Sequence, residues 1–282
     1  MAIRSYAEAR DAILNGRTWL GYYRRGGPAM AANVFADLSY AAGLPVANYY
    51  ASAPLVSATL DSGIDLGPTP AAGMSKYISR ALIIPPTATG IMSFEFVDIC
   101  LYYPFVDGDG GYQDMVNTVP IPRYNGHECK IMVVSQGVGT SDANVRITYT
   151  NSSGVAGNQV TVTLALENNA GSLCSSFPPG TAKTYPAGPF VQLCPQCRGV
   201  RSIQSVEYLS SGGGIQAFVI VKPLFTMTMF ETTAAPIEVD FMADRSFKLP
   251  QVANGAYLSA IARGTTAATP ATINGQIETI WG

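Results

Sequence analysis

The sequence predicts an all-β protein: a jelly-roll-like β-sandwich body preceded by a partly helical, extended N-terminal arm. Three observations predict it. From Met74 onward, apolar residues recur with a period of two, the spacing of a strand with one buried face. Loops rich in Gly and Pro separate these segments, and no helical pattern intervenes, which favours a sandwich or barrel. The first 73 residues follow different rules, so the chain divides into an arm over 1–73 and a body over 74–282.

In the arm, Ser5-Tyr6-Ala7-Glu8 fits a capping box, in which the Ser5 hydroxyl satisfies a free backbone N–H and Glu8 reaches back. The helix it starts should run to about Asn15 and end at Gly16. Pro28 and the Ala-rich run to Ala42 predict a second helix, stopped by Gly43 and Pro45. Between them lies the aromatic stretch Trp19-Leu20-Gly21-Tyr22-Tyr23, which has no helical period. Residues 45–73 are broken by Pro45, Pro54, Pro68 and Pro70 yet carry Tyr49, Tyr50, Leu55, Val56 and Leu60. A disordered linker would be polar. This segment should lie along a surface, its own or a neighbour's, with Trp19, Tyr22, Tyr23, Tyr49, Tyr50 and Leu55 as interface anchors.

In the body, strands are expected at Lys76–Ile84, Met92–Tyr103, Cys129–Ser135, Val145–Thr150, Val160–Leu166 and Ser202–Tyr208. Further strands are expected at Ile215–Val221, Thr226–Met229 and Ile237–Phe241, with short ones at Ala256–Ala262 and Gln276–Trp281. Val145–Thr150 and Val160–Leu166 alternate cleanly and flank a polar turn, as a hairpin does. Ile215–Val221 is apolar on both faces and should be central.

Composition points to assembly. The chain has 282 residues, 48% hydrophobic and 13% charged, against about 25% charged in an average soluble domain. So few charges leave much apolar and small-residue area at the surface, which commonly marks contact sites. The net charge of −2 and the absence of a Lys/Arg run argue against nucleic acid as a direct partner. No run of about 18 apolar residues spans a membrane. Arg4, Glu8, Arg10 and Asp11 interrupt the N-terminus, so no secretory signal is read there and folding is expected in a cytoplasm.

Catalytic motifs are not found. His127, the single histidine, has no G-x-S-x-G partner. Gly137-Val138-Gly139 lacks the rest of a dinucleotide fingerprint. Asp107-Gly108-Asp109-Gly110-Gly111 with Asp114 begins like a calcium loop, but no glutamate closes it, and ordinary turn chemistry explains it. Glu95 with Asp98, and Glu238 with Asp240, are carboxylate pairs without a glycosidase context. Cys194-Pro195-Gln196-Cys197 is the sharpest local pattern. It could hold one edge of a zinc site completed by Cys174 and Cys129 or His127, close a local disulfide, or be two plain thiols. With five cysteines, an odd number, in a reducing compartment, a disulfide framework is not expected. The reading is of a non-enzyme with no cofactor and no metal site.

Asp37-Leu38-Ser39, Gly43-Leu44-Pro45, Asn48-Tyr49-Tyr50-Ala51 and Pro54-Leu55 together resemble a segment of tailed-bacteriophage virion proteins, in which such a stretch precedes a β-rich body. The likeness covers roughly residues 33–84. It implies a structural protein of the phage head, of the capsid cement or decoration type. Such a protein would be a homotrimer, with its arm clamped on the major capsid protein. A tail or fibre protein binding a host cell-surface glycan is the alternative it leaves open.

Overall fold

The structure, a computed structural model, describes residues 2–44, 46–47, 50–60, 63–84, 91–137, 139, 141–180, 188–229, 235–243, 248–266 and 273–282. One α-helix, α1 (Tyr6–Leu14), precedes β1 (Thr18–Arg25), β2 (Phe35–Asp37) and β3 (Gly43–Leu44). The next strands are β4 (Lys76–Ile84), β5 (Met92–Asp107), β6 (Tyr112–Asp114), β7 (Lys130–Ser135), β8 (Ala143–Asn151) and β9 (Asn158–Ala165). Then follow β10 (Ser175–Phe177), β11 (Val200–Tyr208), β12 (Ile215–Thr228), β13 (Ile237–Asp240), β14 (Gln251–Val252), β15 (Leu258–Gly264) and β16 (Ile273–Trp281).

These strands form three antiparallel sheets. The first is ordered β13-β4-β16-β1-β3, with β14 also on β4; the second is β10-β9-β8-β11-β6; the third is β2-β15-β5-β12-β7. The all-β sandwich expected from the sequence is formed, with the first and second sheets both packed against the third. The long strands β5 and β12 pair along almost their whole length and serve both halves. Leu101, Tyr103, Phe218 and Ile220 pack with Val145, Ile147 and Ile203 of the second sheet. Phe94, Phe96 and Met227 pack with Tyr23, Ile78 and Ile277 of the first.

Several strands fall where the alternation put them. Pro223 did not split Ile215–Val221 from Thr226–Met229; both lie in β12. The partner β7 ends opposite Val221, so Pro223 removes a donor only where one edge of β12 is already free. The N-terminal helix also forms as read, with Ser5 Oγ accepting from Glu8 N at 3.3 Å and Gly16 at φ +66° beyond its end.

The rest of the arm is corrected. No helix forms between Pro28 and Ala42: Asn33 adopts φ +63°, β2 pairs with β15, and Leu38–Tyr40 makes one 3-10 turn capped by the Asp37 carboxylate. Continuous burial from Val34 to Ser39 overrides the alanine propensity. The aromatic stretch is not a free anchor either. It is β1, paired from Thr18 to Arg25 with β16 and at its end with β3. Residues 50–60 lie on the protein's own third sheet, with Ala58 and Tyr102 exchanging both backbone hydrogen bonds at 3.0 and 2.9 Å. The described part of the segment expected as a separate arm is therefore built into the body, which pairs β1 and β2 into its sheets and buries Tyr23, Tyr50, Ile64 and Leu66.

Candidate assembly surface and cleft

The anchor residues divide between surface and core. Tyr22 is 60% exposed on β1, and Trp19 is also exposed. Tyr23 and Tyr50 are buried, and Leu55 is half-buried against the core. Tyr49 lies outside the described residues. Alternation decides this: along β1, Tyr23 and Arg25 point inward while Leu20, Tyr22 and Arg24 point out.

Strand register assembles the outer face of the first sheet from three rows. Leu44, Arg24, Asn274 and Ile84 lie side by side, then Tyr22, Gln276, Leu82 and Glu238, then Leu20, Glu278, Arg80 and Asp240. Its charges are concentrated around Arg80, which pairs with both Glu238 and Glu278 at 3.4 Å. The β1 side exposes Leu20, Tyr22 and Leu44 beside one charge, Arg24, and nearby α1 exposes Ile13 and Leu14.

Two buried polar networks tie the third sheet to the segments that cover it. In one, Asp37 accepts hydrogen bonds from Tyr50 Oη, from Ser39 Oγ at 2.7 Å and from Ser39 N at 2.9 Å. Burial raises the Asp37 carboxyl and these donors oppose the shift. The Tyr50 hydroxyl is pushed up, first by burial and then by the Asp37 charge. In the other, Asp98 meets Arg123 and the backbone N–H of Tyr257. The Tyr257 hydroxyl in turn accepts from Arg25 at 3.3 Å, and the Arg25 charge acts on Asp37. These groups are sealed in the interior and serve the fold.

A cleft opens where the loop before β7 faces β12. Its main chamber, about 660 Å³, is lined by Tyr124, His127, Glu128, Lys222, Phe225, Phe241 and Lys248 among others. A second chamber of about 530 Å³ shares His127, Glu128 and Pro223 and adds Lys130 and Arg198. Glu128 forms an ion pair with Lys222, whose ammonium lies 5.7 Å from the Tyr124 ring centre. That bond holds the Glu128 carboxyl below its usual range. The lining loop is strained: Tyr124, Asn125 and Glu128 have φ of 59°, 48° and 56°. Strained non-glycine residues in one loop commonly accompany binding sites. Sequence reasoning singled out His127 but missed the cleft, whose walls come from four distant stretches.

The other candidates resolve individually. Cys194 and Cys197 are joined as a disulfide, while Cys100, Cys129 and Cys174 are buried thiols outside any disulfide. Among the described residues no three His, Cys, Asp or Glu side chains gather as a metal site. Asp98 is taken up by Arg123, and burial alone pushes the Glu95 carboxyl up to about 7.

No family model and no curated protein matches the chain. Two solved structures of the VP2 protein of infectious bursal disease virus were compared. A point mutant in derived T=1 particles is 8% identical with a TM-score of 0.18, over 93% of this chain and 77% of that one. The VP2 subviral particle is 8% identical with a TM-score of 0.16, over 93% and 78%. TM-scores this low establish no common fold, and neither VP2 structure supports an argument about function.

Proposed function

We propose that this chain is a non-enzymatic structural subunit of a virion, acting by assembly with copies of itself and with other chains. The outer face of the first sheet carries this reading. Leu20, Tyr22 and Leu44 stand exposed there on a sheet whose opposite face is already packed, so burying them requires another chain. The low charge content of the chain and the resemblance of residues 33–84 to phage virion proteins support it. Within that reading the chain is a capsid cement protein, a homotrimer seated on the major capsid protein of a phage head. It makes its contact through the sheet face, since the expected free arm is part of the body.

The test is the solution mass by light scattering, with and without capsids, for the native chain and for Tyr22→Lys with Leu44→Lys. A trimer that joins capsids and loses either property in the variant supports the proposal. A monomer that ignores capsids refutes it and leaves glycan binding by a tail or fibre protein as the reading to pursue.

A further inference from the structure

Among the described residues the cleft carries more positive than negative charge. Lys222, Lys248, Lys130 and Arg198 line it, with Glu128 as the single carboxylate among the described lining residues, already paired with Lys222. Lys130, Arg198 and Lys248 make no ion pair among the described residues. The wall behind these cations is aromatic: Phe225 stacks on Phe96 at 4.5 Å and meets Phe241 edge-on at 5.1 Å. The site thus suits a ligand that is anionic at its rim and aromatic at its centre.

The same chain displays such a group elsewhere. The loop from Asp107 to Asp114 exposes Asp107, Asp109 and Asp114, none in an ion pair among the described residues. Between them Tyr112 is 61% exposed. The loop is held in shape before any contact. Gln113 bonds Asp107 N and O at 2.9 and 2.8 Å, and Asp109 Oδ1 accepts from Gly213 N at 3.2 Å. A preformed loop loses little entropy on docking.

This loop cannot fill its own cleft. Asp107 pairs with Ile215 and Asp98 with Lys222, so the loop and the cleft are separated by β5 from Asp98 to Asp107, roughly 30 Å at about 3.3 Å per residue. We infer that the Asp107–Asp114 loop of one copy docks in the cationic cleft of a second copy, with Tyr112 against the Phe225–Phe241 wall. The inference rests on the assembly reading above and adds a second, head-to-tail contact. Such a contact uses two different surfaces and propagates into rings or open chains, which a sheet-face contact alone need not do.

The test uses complementation in the full-length chain. A cleft variant, Arg198→Glu with Lys248→Glu, and a loop variant, Tyr112→Ala with Asp114→Lys, are each measured by analytical ultracentrifugation, with circular dichroism as the check on folding. Asp114→Lys alone replaces the loop variant if the double change unfolds. Each variant should associate about tenfold more weakly or worse. With Tyr22→Lys and Leu44→Lys added to both variants to remove the sheet-face contact, an equimolar mixture should regain one contact and stop at a mixed dimer, because one partner keeps an intact cleft and the other an intact loop. Native association unchanged in both variants overturns the inference while leaving the sheet-face proposal standing. A native chain that is monomeric at every concentration overturns both. Short single-stranded DNA that binds the cleft without weakening self-association would show that the cleft serves a different anion, and would also overturn the inference.

Discussion

Asp98 and Arg123 form a two-pronged ion pair in the interior, Nε to Oδ2 and Nη2 to Oδ1 both at 2.8 Å, with side chains 0% and 9% exposed. Arg123 also donates to Ile99 O at 2.7 Å, and Asp98 accepts from Tyr257 N at 2.9 Å. The pair ties the strained cleft loop to β5. Burial raises the Asp98 carboxyl, and Arg123 is the main force opposing that rise. Removing Arg123 leaves a buried carboxylate without its counter-charge, so Arg123→Ala should cost about 3–5 kcal/mol in urea denaturation. Adding Asp98→Asn should recover part of the loss, since the amide oxygen can still accept from Tyr257. No recovery would assign the loss to packing instead of charge.

Glu95 predicts a pH dependence. Its carboxyl is raised from 4.5 to about 7 by burial, so the folded state holds its proton more tightly than the unfolded chain. That stabilisation is complete below pH 4.5 and is lost as pH rises through 7. Glu95→Gln should therefore match the native chain in thermal stability at pH 4 and exceed it increasingly up to pH 8. A difference in melting temperature that stays flat over that range would rule out Glu95 as the titrating group.

Neighbouring residues on β1 should respond in opposite ways. Tyr23 is 4% exposed, donates its hydroxyl to Leu82 O at 3.2 Å and meets Phe96 edge-on at 6.1 Å. Gly275 sits beneath its ring with no room for a Cβ. Tyr23→Ala should cost about 3–5 kcal/mol in urea denaturation, as large-to-small core changes do. Tyr22→Ala, one residue away and facing out, should stay within about 0.5 kcal/mol. Equal losses would contradict the register of β1.

That register also shows where the sequence was readable. Strands β8 and β9 alternate apolar and polar residues, and their places could be read directly. Strand β1 has the same alternation of burial, but its inward positions include Gly21 and Arg25, and its outward ones Leu20 and Tyr22. Hydropathy then runs against the pattern, so Trp19–Tyr23 reads from the sequence as a set of interface anchors and not as the strand it forms. Alanine propensity near Ala31 and Ala32 suggested a helix that tertiary burial refused. The cleft was unreadable for another reason: Tyr124, Arg198, Lys222 and Lys248 meet only through the fold.

The cysteines give a direct chemical count. With Cys194 and Cys197 joined and the other three cysteines in no disulfide, thiol titration of denatured chain should find three groups, and five after reduction. In the native state almost none should react, because Cys100, Cys129 and Cys174 are buried. Replacing both Cys194 and Cys197 by Ser should cost no more than about 2 kcal/mol, since so short a loop restricts the unfolded chain little. Five thiols without reductant would disprove the bond.

Deleting residues 1–73 is the most demanding test of the architecture. A docking arm could be removed from a body that stays folded. Here the deletion takes out β1, which pairs with β16 from Thr18↔Ile280 to Arg25↔Ile273, and it takes Tyr23, Ile64 and Leu66 from the core between the first and third sheets. It also strips Tyr50 and the segment to Leu60 from the third sheet. The losses expose a long, apolar edge on β16, a template for aggregation. The truncated chain should therefore be insoluble or lack a cooperative thermal transition. A soluble, cooperatively melting fragment 74–282 would show that β1 and the segment after it are dispensable, and that the N-terminal region is an arm after all.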